Sequence, residues 1–139
     1  MKSGEKKIKI FTDGGARGNP GPAAIGVVIL SDESEKIIEK FARLLGETTN
    51  NVAEYSAVIE ALKWVVNNFP PGLEINFFSD SKLMVSQLNG LYKIKNHNLR
   101  LLILKVKELE MKTGAKIFYH HIPREENKLA DSLVNSCLA

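Results

Sequence analysis

Apolar and polar positions along this chain change period repeatedly, and the changes mark out its elements. Ile8, Ile10 and Thr12 alternate with Lys7, Lys9 and Phe11, the period-two pattern of a half-buried strand, and the run ends at Asp13. Ala23 to Leu30 (AAIGVVIL) is continuously apolar, as a strand covered on both faces requires. Lys36 to Leu45 fits either a third strand, paired through the Ser31–Glu35 turn, or a short helix, and its periodicity does not decide. Asn51 to Phe69 places Val58, Ala61, Leu62, Val65 and Val66 on one helical face and stops at Pro70-Pro71-Gly72. Leu73–Ser79 reads as a strand, Ser81–Leu88 as a short helix ended by Asn89-Gly90, and Leu99–Met111 as a helix closed by Thr113-Gly114. Ala115–Ile122 is a last strand and Glu125–Leu138 a last helix. Strands first, then helix and strand in alternation, predict an α/β fold with a mixed sheet of about five strands covered by helices. Residues 1–7 are polar and read as a flexible N-terminal tail, which leaves 8–139 as a single domain.

Length and composition narrow the picture only a little. A chain of 139 residues, 44% hydrophobic and 25% charged, suits one globular domain. No apolar run approaches the length of a membrane span, and MKSGEKK lacks the apolar core of a signal peptide, so no membrane partner is expected. The lone Cys137 excludes an internal disulfide, and no Cys/His cluster suggests zinc, so a reducing, cytoplasmic setting is expected. A net charge of +3 is compatible with a nucleic-acid partner without specifying one.

Chemistry enters with acids in unusual places. Asp13 in "IFTDGG" and Asp80 in "FFSDSK" both end strands, where open α/β sheets form their ligand crevice, although aspartate is also a common turn former and helix cap. Glu54 lies at helical spacing from Val58, Ala61 and Val65 and so extends an apolar stripe; a capping box with Asn51 is the competing explanation. Asp131 sits inside a helix between Leu129, Ala130 and Leu133, a position compatible with plain surface exposure. Converging on one crevice, these carboxylates would repel unless cations lay between them. Hard divalent ions such as Mg²⁺ take oxygen ligands, and two such ions about 4 Å apart suit phosphodiester hydrolysis.

"FTDGGARGNPGPAAIG", "TTNNVAEYSAVIEAL", "FFSDS" and "REENKLADSL" stand in the order and spacing of the type 1 ribonuclease H family, and the resemblance runs from about Ile8 to Leu138. The resemblance implies a ribonuclease H-like fold: a five-stranded mixed sheet, its first three strands antiparallel, with helices on both faces. That favours a strand at Lys36–Leu45. It further implies that Asp13, Glu54, Asp80 and Asp131 bind two Mg²⁺ or Mn²⁺ ions, Asp13 serving both. The reaction implied is cleavage of the RNA strand of an RNA–DNA hybrid, giving 3′-hydroxyl and 5′-phosphate ends. Gly14, Gly15, Arg17 and Asn19 would lie along the substrate path, the glycines leaving backbone uncovered for a close strand. Asn50 and Asn51 would reach bases or sugars in the minor groove, or cap their helix, and Thr49 would hold a phosphate of the DNA strand. Ribose 2′-hydroxyls are the group by which RNA would be chosen.

The chain departs from the family pattern in two respects. Only "NGLYKIKNHN" separates the short helix after Asp80 from the next, so the basic handle of some members is absent, and Lys82, Lys93, Lys95, Arg100 and Lys105 offer either a weaker basic surface or a solvated face. Ten residues before the last acid, where better-known bacterial members carry a mobile loop histidine, stands His121, here at the end of a strand. Arg124 in the "PREEN" segment is favoured instead as the assisting group, because a loop residue reaches a scissile phosphate and guanidinium binds it bidentately; pairing with Glu125 or Glu126 is the bland alternative. His97 and His120 read as structural or exposed, and Trp64 and Cys137 as helix and tail packing. Loss of the handle leaves double-stranded RNA as a further substrate candidate. A non-catalytic hybrid-binding module is disfavoured by acids facing phosphates. The expected protein is a free-standing monomer.

Overall fold

The computed structural model describes residues 4–91 and 93–139. Its elements are β1 (Lys7–Ala16), β2 (Gly21–Ser31), β3 (Ile37–Thr48), α1 (Asn50–Asn68), β4 (Glu74–Ser79), α2 (Lys82–Leu88), α3 (His97–Thr113), β5 (Lys116–His121) and α4 (Lys128–Leu138), with a single 3₁₀ turn at Arg124–Glu126. The strands form one sheet in the order β3-β2-β1-β4-β5, with β1, β2 and β3 antiparallel and β1, β4 and β5 parallel. Lys36–Leu45 is thus strand and not helix, as the family resemblance favoured. Pairing with β2 settles what its periodicity left open.

Burial explains the strand sequences. β2 lies between β1 and β3 with α1 on one face and α4 on the other, and its run Ala23–Ile29 is buried throughout. β4 alternates, with Ile75, Phe77 and Ser79 buried beneath the helices. α1 supplies the largest helical share of the core through Tyr55, Val58, Leu62 and Val65, and α3 packs over it with Leu99, Val106 and Leu109. α3 ends where Gly114 adopts φ of 60°, the left-handed conformation suited to a helix C-terminus. None of the helices is long and apolar enough to cross a membrane among the described residues.

Several boundaries differ from the sequence-based expectation, three of them for a visible physical reason. Lys7 already belongs to β1, and the Lys6 carbonyl accepts from the Glu74 N–H, so the expected tail is attached from there; residues 1–3 lie outside the described residues. β1 does not end at Asp13 but runs to Ala16, because β2 continues to pair with it through Ala16↔Ala23. The expected helix Glu125–Leu138 is broken at Asn127, whose φ of −115° and ψ of 29° separate the 3₁₀ turn from α4.

Candidate active site

The β1–β4 ladder ends at Phe11↔Phe78, after which β1 proceeds with β2 alone. The resulting opening, at the carboxyl ends of the parallel strands, is where α/β sheets bind ligands. Asp13 stands on the stretch of β1 beyond its ladder with β4, Asp80 follows the last residue of β4, and Glu54 projects from the early turns of α1. One carboxylate oxygen from each lies within 4.8 Å of the other two.

Two glycines bring the flanking helices this close. A Cβ on Gly14 would fall inside the backbone of Ala53 and Glu54 on α1. A Cβ on Gly26, the β2 partner of Asp13, would fall against the Ala130 carbonyl of α4, one residue before Asp131. Each helix therefore contacts the sheet at a side chain that is missing beside an acid. Gly14, directly after Asp13, thus serves helix packing as well as lining the cleft.

Glu54 is held from both sides, accepting from the Gly14 N–H at 2.9 Å and from the Ser79 hydroxyl at 3.4 Å. Its capping-box alternative fails. The N-cap is Thr49, whose hydroxyl accepts from the Val52 N–H at 3.2 Å, so Asn51 lies within the helix and is not its cap.

Asp13 and Glu54 are only 7% and 8% exposed, and that burial dominates their electrostatics. Burial, followed by the charge of Asp80, pushes Asp13 up to about 7. Glu54 is raised well above the carboxylate range by burial and then by Asp13. Burial also raises Asp80, against an opposing pull from the Arg124 guanidinium. Oxygen-only ligands, packed so that they resist ionisation on their own, fit hard divalent cations such as Mg²⁺ or Mn²⁺.

Asp131 joins the same cleft, an open volume of about 620 Å³ lined also by Gly14, Gly15, Arg17, Asn50, Asn51 and Arg124. Its carboxylate lies outside the tight trio. Arg124 approaches it at 3.6 Å and the Asn135 amide donates to it at 3.3 Å, so Arg124 is paired here with Asp131 and not with Glu125 or Glu126. The segment expected to be a loop is the 3₁₀ turn, which still projects Arg124 into the cleft.

The remaining candidates divide. The Asn50 side chain accepts from the Ala16 N–H at 2.8 Å, and Asn19 accepts from the Asn50 N–H at 3.0 Å; both tie the end of β1 and its turn to α1, and Asn19 does not line the cleft. Thr49 likewise stands off the cleft wall as the α1 cap, and His121 ends β5 outside the lining, near enough to Asp80 to favour its charged form. His120 bonds Asn76 at 2.7 Å and stacks on Phe78, and Trp64 packs edge-on to Phe69. Among the basic candidates, Lys105 pairs with Glu108 and Arg100 donates to the Ile94 carbonyl, and none of the five lines the cleft. Sequence reasoning passed over Ser79, Asn127 and Asn135. The sole signal for Ser79 and Asn127 was their membership in the motifs "FFSDS" and "REENKLADSL".

Residues 11–137 match a family model described as reverse transcriptase-like. A bifunctional protein of Mycobacterium tuberculosis is 36% identical over 132 residues, which is 95% of this chain and 35% of that protein. The chain thus spans about a third of the length of that curated relative. The crystallised RNase H1 of the archaeon Halobacterium salinarum superposes with a TM-score of 0.88 at 34% identity, covering 95% of this chain and 97% of its own. LC11-RNase H1, solved in complex with an RNA/DNA hybrid, superposes with a TM-score of 0.86 at 42% identity, covering 93% and 94%.

Proposed function

Since the chain belongs to the type 1 ribonuclease H family, we propose that it is a metal-dependent endonuclease hydrolysing the RNA strand of RNA–DNA hybrids, with 3′-hydroxyl and 5′-phosphate products. The observation that carries the reading is the trio of Asp13, Glu54 and Asp80, three carboxylates from three elements within 4.8 Å at the floor of an open cleft. Asp13, Glu54 and Asp80 would hold the ions, with Asp131 completing the set from α4. Two divalent cations bound there would activate the attacking water and stabilise the departing oxygen.

The chain's own groups do the rest. Gly14 and Gly15 present backbone without side chains on the cleft wall, and Asn50, Asn51 and Arg17 stand beside them, suited to the sugar edge of a duplex. Arg124 places a permanent positive charge opposite Asp80 and Asp131, where it would meet a phosphate oxygen of the strand being cut. His121, off the cleft wall, is the weaker candidate for that role. Asn19 and Thr49 act on substrate through α1 and the turn they fix. A monomeric, cytoplasmic enzyme acting on hybrids is the same proposal's cellular form.

Incubating labelled RNA–DNA, RNA–RNA and DNA–DNA duplexes with the protein, with and without Mg²⁺ or Mn²⁺, tests the reading. Metal-dependent cutting of RNA in the hybrid is expected. Cutting without metal, or of the DNA–DNA duplex alone, refutes it, and equal cutting of the RNA–RNA duplex extends the substrate range.

A further inference from the structure

We infer that Asn127 is a positioning residue that holds Arg124 and Asp131 in register with Asp13; the inference rests on the function proposed above. Asn127 is 1% exposed, although it lies at the junction of the 3₁₀ turn and α4. Its side-chain amide donates to the Thr12 carbonyl at 2.9 Å, across 115 positions of sequence. Thr12 is one residue past the end of the β1–β4 ladder and one before Asp13. The backbone of Asn127 holds the other two groups: its N–H donates to the Arg124 carbonyl at 2.9 Å, and its carbonyl accepts from the Asp131 N–H at 3.1 Å. One residue therefore connects the strand carrying Asp13 to the turn carrying Arg124 and to the helix carrying Asp131.

The amide is a poor choice for stability alone. Asn127 borders a small cavity lined by Phe11, Val28, Leu30, Glu126, Leu129 and Ala130, and its Oδ1 is buried with no hydrogen-bond partner among the described residues. A buried acceptor without a partner carries a desolvation cost that an apolar side chain would avoid. What an apolar side chain could not do is bond to Thr12. The break between the turn and α4 lets Arg124 and Asp131 face the cleft from consecutive elements, and the Asn127 bond fixes where that break lies. Residues supporting metal ligands are commonly worth 10–100-fold in metal affinity or activity.

The experiment compares Asn127→Ala and Asn127→Leu, which is similar in size but cannot donate, with Leu109→Ala, a core truncation in α3 away from the cleft. Mn²⁺ affinity is read on the protein alone by calorimetric titration, and kcat and KM separately on the RNA–DNA hybrid. Both Asn127 variants are expected to lose roughly 10–100-fold in kcat and at least about tenfold in Mn²⁺ affinity, with KM nearly unchanged, whereas Leu109→Ala loses thermal stability only. Should alanine fail to fold, Asn127→Ser, with a shorter donor, is expected to give the same pattern at smaller amplitude. Folded Asn127 variants with normal Mn²⁺ affinity and kcat overturn the inference, as does an equal loss in Leu109→Ala. A wild type that binds Mn²⁺ but leaves hybrids intact refutes the proposed function; weaker Mn²⁺ binding in the variants would still support the positioning role.

Discussion

Replacing Asp13 with asparagine removes a carboxylate whose proton affinity in the folded, metal-free protein lies near 7 against an ordinary 3.8. The folded state holds that proton more tightly than the unfolded one, so between these values folding takes up protons and stability falls as pH rises. The cost is absent below about pH 4, where both states are protonated, and complete above about pH 7. A shift of three units corresponds to about 4 kcal/mol as an upper limit. Glu54 shares the burial and titrates with Asp13, and asparagine can donate to it, so roughly half that gain, about 2 kcal/mol, is expected from Asp13→Asn at pH 8. For a domain of this size that is roughly 5–8 °C in Tm. The assay is thermal unfolding in chelator at pH 4, 6 and 8, repeated with Mg²⁺ or Mn²⁺. The variant should match the wild type at pH 4 and exceed it at pH 8. Metal should reverse the order, because a ligand that binds only the folded state adds about 2.7 kcal/mol at a hundredfold excess over Kd. A variant no more stable at pH 8, equally stabilised by metal, or still active on hybrids would refute the assignment of Asp13.

Glu54→Gln is expected to depress hybrid cleavage at least about a hundredfold while metal-free stability at pH 4 changes by no more than about 1 kcal/mol, since the amide oxygen can keep the Gly14 bond and the amide NH₂ can donate to the Ser79 hydroxyl; full activity would leave it a structural residue. Arg124→Ala should lower kcat far more than His121→Ala, with partial rescue by lysine and no falling limb of histidine type near neutrality, and the opposite ranking would favour His121. Gly26→Ala should cost on the order of 1–3 kcal/mol in thermal unfolding, because the new Cβ displaces Ala130, and should weaken metal binding along with it. An unchanged metal affinity there would separate α4 placement from the site.

Four of the strands (β1, β2, β4 and β5), α1 and the turn residues between them were legible in the chain, because period-two and period-3.6 patterns report contacts among near neighbours. The four candidate acids stood out through their motifs. What remained open each time was decided by residues far apart in sequence. Lys36–Leu45 is mostly exposed and has no decisive period; β2 makes it a strand. Asn51–Glu54 has the form of a capping box, yet Thr49 begins the helix once Ala16 has taken the Asn50 side chain and Gly14 that of Glu54. Glu125–Leu138 has no local reason to break at Asn127, and the partner that accompanies the break is Thr12 on β1. The closeness of Asp13, Glu54 and Asp80 belongs to the same class. No local pattern encodes a distance between three separate elements, and it arises only when α1 settles against Gly14 and β1 extends past the end of β4.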